Sequence, residues 1–283
     1  MVKRIFAIAL YSIRQWTAEL RILLLFIFMV LFVRADIAAI GDFAKEMGVA
    51  VNPLVFPFYS SDVVKQLIVL SGIIFLFSDA PFINNNQPYV IIRSNRLSWV
   101  SGKSIYIMMA SAVYFFVVMG ASVITLLPNA FFQTDDWGKI INTLAQTNAG
   151  SLINLQFAVS EKITDYYSPI MAFFLSFFLN WSVACFMGLL IFLISLKFHR
   201  MFGLLAGAIV LFWDLLVINT LPIRFYYASP ITLSRLGMLD PSGTSNYPDI
   251  MYSFVFFGIG IALLAVLLMS GIRNQSIEIT AEV

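Results

Sequence analysis

The sequence predicts an all-α membrane protein with six transmembrane helices, for three reasons. Hydrophobic residues make up 60% of the 283 residues and charged residues only 11%, whereas a soluble domain has about a quarter charged residues. The apolar residues come in long unbroken runs, while the strands of a membrane barrel would alternate apolar and polar side chains. Inside a bilayer every backbone polar group must be paired within the protein, which leaves helices as the spanning element.

Six stretches are apolar over the roughly 20 residues that a span requires. They are residues 22–40, 63–82, 104–127, 166–196, 201–221 and 250–272. The first is the weakest, because its uninterrupted apolar run between Arg21 and Arg34 has the length of a signal-peptide core. We expect this helix to be retained, with both arginines reaching the two interfaces. The fourth is long enough to tilt, kink or project beyond the membrane.

The distribution of charge orients these spans. Ten of the 17 Lys and Arg residues lie before the first span, after the last, or in the loops after spans two and four. Nine of the 15 Asp and Glu residues lie in the other loops, and Asp36 lies near the outer end of the first span. Basic residues concentrate in short cytoplasmic segments. We therefore expect a multi-pass protein of the cell membrane with both termini in the cytoplasm. No linker rich in Gly, Ser or Pro divides the chain, which predicts a single membrane domain over residues 1–283.

The first 21 residues have the period of an amphipathic helix. Apolar side chains, among them Trp16, fall on one face, and basic side chains that include Arg4 and Arg14 fall on the other. Such a helix lies along the membrane interface with its basic face towards lipid headgroups. An elbow helix that also contacts a cytoplasmic partner fits the same pattern, and the sequence does not decide between the two.

The loop between the second and third predicted spans is the most informative segment. Pro81 ends the span, a polar turn follows, and Pro88 suits the first turn of a short helix that continues to about residue 100. The side chains of interest on and just after this helix are Tyr89, Arg93, Arg96, Trp99 and Lys103. A positively charged cytoplasmic loop with an aromatic anchor explains part of this pattern. A rigid projection that docks into a groove on a motor subunit also explains its sharp ends.

Residues 78–103 resemble a pattern of bacterial ABC exporter permeases of the six-helix, type V kind. The matching residues are Ser78, Asp79, Pro81, Phe82, Tyr89, Ile92, Arg93, Arg96, Trp99, Gly102 and Lys103. The wider layout is also similar, with an elbow helix over 1–21, a coupling segment over 83–103 and outer segments over 128–165 and 222–249. The last of these has Ser229 and Pro230 as a helix start and Gly237 as a stop, which the resemblance identifies as a short re-entrant helix that closes the exit.

The resemblance implies the membrane subunit of an ATP-driven exporter whose cargo is amphipathic or hydrophobic, such as a peptide, an antibiotic or a lipid. The elbow and coupling helices would contact a separate ATP-binding cassette subunit, and two permease subunits, identical or different, would enclose the substrate path. This chain has no Gly-x-x-x-x-Gly-Lys-Ser/Thr phosphate loop. We therefore expect ATP and Mg on the partner subunit and no cofactor on this chain.

Asp214 is the one acid deep inside a predicted span, where a carboxylate costs roughly 2.5–3.5 kcal/mol. Three roles fit Asp214: it contacts substrate, it relays protons, or it forms a hydrogen bond to another helix. For the last role, the candidate neighbours are Asn180, Trp181 and Asn219. The alternative function is thus a secondary transporter or channel that uses Asp214, although such proteins usually carry several buried charges or broken helices. One His, one Cys and no clustered carboxylates in the spans disfavour an enzyme or a metal site. A net charge of +2 gives no argument for a nucleic-acid partner.

Overall fold

The computed structural model describes residues 2–82, 95–243 and 245–271. These ranges are helical, and their only β-type pairings are two isolated bridges. In chain order the α-helices of the described ranges are α1 (Val2–Arg14), α2 (Leu20–Met47), α3 (Phe56–Ser61), α4 (Val63–Leu76), α5 (Arg96–Leu126), α6 (Gly138–Gln146), α7 (Ala149–Leu152), α8 (Glu161–Tyr166), α9 (Pro169–Lys197), α10 (Arg200–Asn219) and α11 (Ile250–Gly271).

Five of these helices, namely α2, α5, α9, α10 and α11, are long and apolar enough to cross a membrane. The prediction of a multi-pass helical membrane protein is thereby confirmed. The first span is longer than its apolar pattern indicated, because α2 has 28 residues and ends only where Gly48 adopts a left-handed φ of 64°. The helix continues through Asp36 and Asp42, which interrupt the hydropathy but not the backbone hydrogen bonding.

The second predicted span, 63–82, is helical only in part. Its helix α4 has 14 residues, which extend over about 21 Å, whereas the hydrocarbon core of a bilayer is about 30 Å thick. The short helix α3 precedes it, and the two are separated by the extended residue Asp62. The Asp62 carboxylate accepts the backbone N–H groups of Val64 and Lys65, both at 3.0 Å. This N-cap starts a new helix, so helix length does not establish a sixth span.

The predicted short helix over residues 88–100 is wrong in its second part. Arg96 is the first residue of α5, which continues without interruption to Leu126. Trp99 and Lys103 therefore lie on the first turns of a spanning helix and not on a separate cytoplasmic one. Serine and lysine side chains lower the hydropathy of these turns, but they leave the helical hydrogen bonds intact, which is why the pattern places the start of this helix too late.

The helices α5 and α9 form the centre of the bundle. α9 packs against α4, α5, α10 and α11, and α5 also packs against α1 and α2. Within their most apolar stretches, 61% of α9 is buried, compared with 22% of α10 and 17% of α11. α10 and α11 therefore lie at the periphery and direct broad apolar faces away from the bundle.

The bundle has two ends with different contents. The α1 end contains α1, the turn over 77–81 that follows α4, and the first residues of α5 and α10, because Arg200 of α10 contacts that turn. The opposite end contains α3, α6, α8 and the segment between α10 and α11, which pack on one another. Both ends carry clusters of charged and polar side chains.

Candidate functional site

Between α10 and α11 the chain folds back into the bundle at the opposite end. Residues 229–237, the strap, form short 3₁₀ turns and not the α-helix that was predicted from Ser229 to Gly237. Every residue from 229 to 236 is buried. The strap packs against α3, α9 and α11, so apolar helices enclose a segment with several polar side chains.

Asp214 of α10 forms a fully buried ion pair with Arg235 of the strap. Arg235 Nη2 donates to Asp214 Oδ2 at 2.5 Å and Nη1 donates to Oδ1 at 3.3 Å, and neither side chain has exposed area. Ser229 Oγ and Thr232 Oγ1 donate to the same Oδ1 at 2.8 and 2.7 Å. Four hydrogen bonds, all from the strap, therefore satisfy the carboxylate, and the guanidinium neutralises its charge.

Gln66, on the first turn of α4, connects the strap to α9. Its amide nitrogen donates to Ser234 Oγ at 2.7 Å and to Asn180 Oδ1 at 3.0 Å, and Asn180 donates to the backbone oxygen of Ser176 at 2.9 Å. Gln66 Oε1, Ser176 Oγ and Arg235 Nε are buried without a hydrogen-bond partner in the described part of the chain. The network thus joins three elements but leaves polar atoms unsatisfied, which is uncommon in a protein interior.

A second buried ion pair joins α2 to α4. Lys65 Nζ lies 2.8 Å from Asp36 Oδ1 and 5.2 Å from the ring centre of Phe32, and the Tyr59 hydroxyl donates to Asp36 Oδ2 at 3.2 Å. Because Lys65 and Gln66 are neighbours in the sequence, the first turn of α4 is held by α2 on one side and by the strap on the other.

At the α1 end, two arginines bind the turn that follows α4. Asp79 pairs with Arg21 of α2 and, at 2.7 Å, with Arg200 of α10. Arg21 also donates to Ser78 Oγ, and Arg200 Nε donates to the backbone oxygen of Ser78 at 2.6 Å. These ion pairs are partly exposed, with 25% of Arg21, 31% of Asp79 and 52% of Arg200 accessible. The turn that immediately precedes residues 83–94 is therefore fixed to two spanning helices.

The helix α1 is fastened to the first turns of α5. Lys103 of α5 is buried and donates to Ser12 Oγ of α1 at 2.9 Å. One residue earlier, a Cβ atom on Gly102 would lie 2.8 Å from Cβ of Ile8, a separation that real Cβ atoms do not show. Glycine is therefore required at position 102 for the two helix backbones to approach this closely.

The predicted partner-contact residues differ in where they lie. Tyr89 and Arg93 lie outside the described residues. Arg96 is exposed at the start of α5. Trp99 and Lys103 are 0% and 1% exposed, so in this conformation they hold the start of α5 in place and do not face a partner.

The predicted amphipathic segment 1–21 is helical over Val2–Arg14. Arg4 and Arg14 are exposed. Trp16, just after the helix, is half-buried, and its Nε1 donates to the Tyr106 hydroxyl at 3.0 Å. The contact of this helix with lipid or with a partner stays a prediction.

None of the three residues predicted as neighbours of Asp214 bonds to it. Asn180 belongs to the adjoining network, where it contacts the strap. Asn219 is exposed and donates to a backbone oxygen of its own helix at 2.8 Å. Trp181 donates to a backbone oxygen of α5 at 2.9 Å. The sequence left the role of Asp214 open, and in the structure its hydrogen-bond partners belong to the strap, which the sequence did not name as a neighbour.

Sequence reasoning missed three charged residues of the buried pairs, Arg235, Asp36 and Lys65. Arg235 lies outside the apolar runs, whereas Asp36 and Lys65 lie near the ends of the first two predicted spans, where a charged side chain does not by itself indicate burial. A signal for Arg235 was present, since it follows the apolar residues Ile231 and Leu233 and precedes another leucine. A cation in such a run indicates a buried acid as its partner.

Beyond the strap, Asp240 organises the connection to α11. Its carboxylate accepts hydrogen bonds from the side chains and backbone N–H groups of Ser245 and Ser242, at distances from 2.6 to 2.9 Å. These bonds hold the pKa of Asp240 well below its usual range. The carboxylate is therefore ionised and engaged within its own loop.

No group of three or more His, Cys, Asp or Glu side chains that could hold a metal ion occurs within residues 2–82, 95–243 and 245–271. Comparisons with protein-family models, with curated proteins and with solved structures find no match. The residues and contacts described above therefore carry the proposals that follow.

Proposed function

We propose that this chain is the membrane-spanning subunit of an ATP-driven exporter and works with a separate ATP-binding cassette subunit. The packing at the α1 end supports this proposal more than any other observation. Several described residues of the exporter-like pattern make specific contacts at the α1 end. Ser78 and Asp79 are bound by arginines of α2 and α10, and Gly102 and Lys103 are packed against α1.

In this proposal, residues 83–103 receive force from the ATP-binding subunit. The segment is held by Asp79 just before it and by the buried Trp99 and Lys103 in its last turns. A displacement of Arg93 and Arg96 then reaches α5 directly, because Arg96 is its first residue, and it reaches α2 and α10 through Asp79. The chain performs no covalent chemistry, and ATP and Mg are bound on the partner.

The proposed orientation has the α1 end in the cytoplasm of the cell and both termini on that side. Arg21, Lys103 and Arg200 lie together at this end, as the concentration of basic residues on the cytoplasmic side requires. We assign the sixth crossing to α3 and α4 together. Residues 56–76, although interrupted at Asp62, connect the opposite end, where α3 packs, with the turn at the α1 end that follows α4.

The proposed assembly contains two permease subunits, either two copies or two different chains. The outward apolar faces of α10 and α11, with Phe212 and Ile259 about 60% exposed, provide surface for a second subunit and for lipid. The proposed cargo is amphipathic or hydrophobic, such as a peptide, an antibiotic or a lipid, because the path between such subunits would be lined by apolar helices.

The deciding experiment is co-purification of the tagged full chain with an ATP-binding cassette subunit encoded beside it. Alanine at both Arg93 and Arg96 is expected to lower the amount of bound partner by about tenfold, since arginines often dominate an interface. The control is Arg224→Ala, which removes one arginine from the opposite end and is expected to change nothing. Unaltered association and transport in the Arg93/Arg96 variant would exclude this coupling segment.

The runner-up function is a secondary transporter that uses Asp214. Two observations favour it: the bundle contains two buried ion pairs, and the α3–α4 helix is broken at Asp62. Collapse of the proton gradient separates the two functions in the unaltered chain. Loss of uptake or efflux under that treatment supports the secondary transporter that uses Asp214, whereas flux that persists and requires ATP supports the exporter.

A further inference from the structure

Lys103, on the second turn of α5, is a buried cation without a counter-ion. Its side chain is 1% exposed. Its Nζ donates to Ser12 Oγ at 2.9 Å and lies 5.4 and 5.7 Å from the ring centres of Phe82 and Tyr106. No carboxylate lies within ion-pair distance of Lys103 in the described part of the chain, and residues 83–94, which follow Phe82, contain no Asp or Glu.

The other two buried cations of the described ranges are both paired. Lys65 binds Asp36. Arg235 binds Asp214. A buried charge is costly unless it is paired and hydrogen-bonded, and an ammonium has three donors, of which Lys103 has one oxygen acceptor in the described residues. The surroundings of Lys103 therefore favour an anion that this chain does not supply.

A small cavity at the α1 end, the Lys103 cavity, lies beside this ammonium. It leaves about 30 Å³ for the centres of water molecules, which is room for about two oxygen atoms. Arg21 also lines the cavity, but its guanidinium already binds Glu19 and Asp79. Arg200 binds the same Asp79. Three cations and two carboxylates leave a net charge of +1 (3 − 2) around the cavity, which suits a monoanion.

The Lys103 cavity lies at the level of lipid headgroups. The helix α5 has 31 residues, which extend over about 46 Å, or about 16 Å more than the hydrocarbon core. Lys103 is seven residues beyond Arg96, the first residue of this helix (103 − 96), or about 10 Å. With the core centred on α5, Lys103 lies close to the boundary between hydrocarbon and headgroups. Lipid phosphates are the anions of that layer, and basic pockets between spanning helices bind them.

An apolar groove runs along the outside of α2 and α4, and we call it the α2–α4 groove. Its volume is about 370 Å³, within the range of small-molecule sites. The buried side chains of Leu25 and Met29 form its floor, and the half-exposed Leu24, Phe28 and Phe75 form its rims. The groove therefore has the shape and polarity that fit one hydrocarbon chain.

The cavity and the groove adjoin each other on the same two helices. Ile22 lines the cavity, and Leu25, three positions further along α2, lines the groove, so both lie on one helix face. On α4, Phe75 of the groove directly precedes Leu76 of the cavity. The guanidinium of Arg21 lies 5.7 Å from the ring centre of Phe75. A charged pocket is thus continuous with an apolar groove, as a phospholipid requires.

We propose that a phospholipid of the leaflet at the α1 end binds this chain, with its phosphate beside Lys103 and one acyl chain in the α2–α4 groove. Lys103 Nζ donates to the phosphate as well as to Ser12 Oγ, and the acyl chain covers Leu25 and Met29. The lipid supplies both an anion and an apolar cover. A free phosphate supplies only the first, and a helix of a second copy supplies only the second. The site does not depend on the proposed function.

The proposal is tested with the full chain in detergent, stripped of lipid and then incubated with phosphatidylglycerol. Native mass spectrometry measures the fraction of the chain that retains one lipid, and the thermal unfolding midpoint measures stabilisation. If the stripped chain does not stay folded, the phospholipid that co-purifies with each variant is extracted and quantified instead.

Two further arms separate the sources of the ligand. Inorganic phosphate supplies the anion without acyl chains, and a diacylglycerol supplies the same chains without the anion. We expect retention and a raised midpoint with phosphatidylglycerol and neither effect in the other arms. Equal stabilisation by inorganic phosphate would leave a free-anion site, and equal retention of diacylglycerol would leave apolar adhesion. Either result would overturn the proposal.

Lys103→Met removes the charge and keeps the length of the side chain. We expect it to lower retention of phosphatidylglycerol by about tenfold, because it removes a charge-assisted hydrogen bond to the phosphate, and to abolish the lipid-dependent rise of the midpoint. A purely structural role for Lys103 predicts instead a lower midpoint in every arm and unchanged retention. The control is Lys139→Met, which removes an exposed lysine from the opposite end and is expected to retain lipid as the parent does.

Ser71→Trp tests the groove while it leaves Lys103 intact. Ser71 is exposed and lines the groove, so an indole there occupies the space of the acyl chain and is expected to lower retention severalfold. The matched control is Val266→Trp, which adds the same side chain to an exposed position of α11. If Ser71→Trp leaves retention unchanged but reduces a dimer to single chains, a second copy covers the groove and the lipid assignment is wrong.

Discussion

The two ends of the bundle use the same chemical pair in opposite surroundings. At the α1 end, Asp79 binds Arg21 and Arg200, and 25% to 52% of each side chain is accessible. At the opposite end, Asp214 binds Arg235, and neither side chain is accessible at all. Both clusters tie a non-helical segment to spanning helices, so their difference lies in burial and not in chemistry.

This difference decides what each pair can do. An exposed ion pair contributes about 0–1 kcal/mol to stability, so its partners exchange at little cost. Removing one partner of a buried pair costs about 3–5 kcal/mol, because it leaves an uncompensated charge in a medium of low dielectric constant. The charge pairs at the α1 end can therefore rearrange at little cost, while the buried pair holds the strap firmly to α10.

The largest effect is expected from Arg235→Met, which leaves the Asp214 carboxylate buried without its cation. We expect a loss of about 3–5 kcal/mol, measured as a large drop in the thermal unfolding midpoint in detergent or as failure to accumulate in the membrane. This variant tests whether the opposite end is rigid because it is buried.

The control for this prediction is the double variant Asp214→Leu/Arg235→Met, in which neither charge remains. Replacing both partners of a buried pair by apolar residues is often close to neutral, so this protein should recover most of the lost stability. A double variant as unstable as Arg235→Met would show that the pair is needed for packing and not for charge balance.

An intermediate effect is expected from Gly102→Ala at the α1 end. The added methyl group would meet Ile8 at 2.8 Å, and such overpacking typically costs about 1–3 kcal/mol. We expect a lower unfolding midpoint and faster proteolysis of α1, because the helix must move away from α5. The result would show that packing, more than charge, fastens the α1 end.

Gly120→Ala is the matched control, since it lies on the same helix and a Cβ there has no neighbour within 4 Å. Alanine is favoured over glycine within helices by about 1 kcal/mol, so this variant should be as stable as the parent or more so. Equal destabilisation by both substitutions would mean that the close approach at Gly102 is not the cause.

The smallest effect on stability is expected from Asp79→Asn, which weakens two partly exposed pairs. The unfolding free energy should fall by no more than about 1 kcal/mol, and increasing salt should reduce the difference further. In the proposed exporter, the same variant should lower transport per ATP hydrolysed far more than it lowers stability. A stability loss as large as that of Arg235→Met would remove the contrast between the two ends.

Much of the fold could be predicted because hydropathy is local. Five of the six predicted spans correspond to long apolar helices, and the N-terminal amphipathic period corresponds to α1. The exceptions are boundaries at polar residues. The second predicted span begins with α4 at residue 63, but α4 ends at Leu76, before the polar residues Ser78 and Asp79, and Arg96 starts α5 before the apolar run begins.

Less of the candidate site could be predicted. Asp214 was recognised because a lone carboxylate in an apolar run is costly wherever it lies. Its partner Arg235 was not, because the two residues belong to different elements and meet only when the strap folds back. The burial of Trp99 and Lys103 was likewise missed, because it depends on the position of α1 against α5.

The sequence by itself determined that this is a helical membrane protein, because its apolar runs are long and its charged residues are few. That conclusion needs only the cost of exposing polar backbone to hydrocarbon, which acts on each segment separately. Only the tertiary structure decided which charges neutralise one another and which glycine lets two helices meet. The energy of a charge or a methyl group depends on what surrounds it in three dimensions, and no local pattern contains that information.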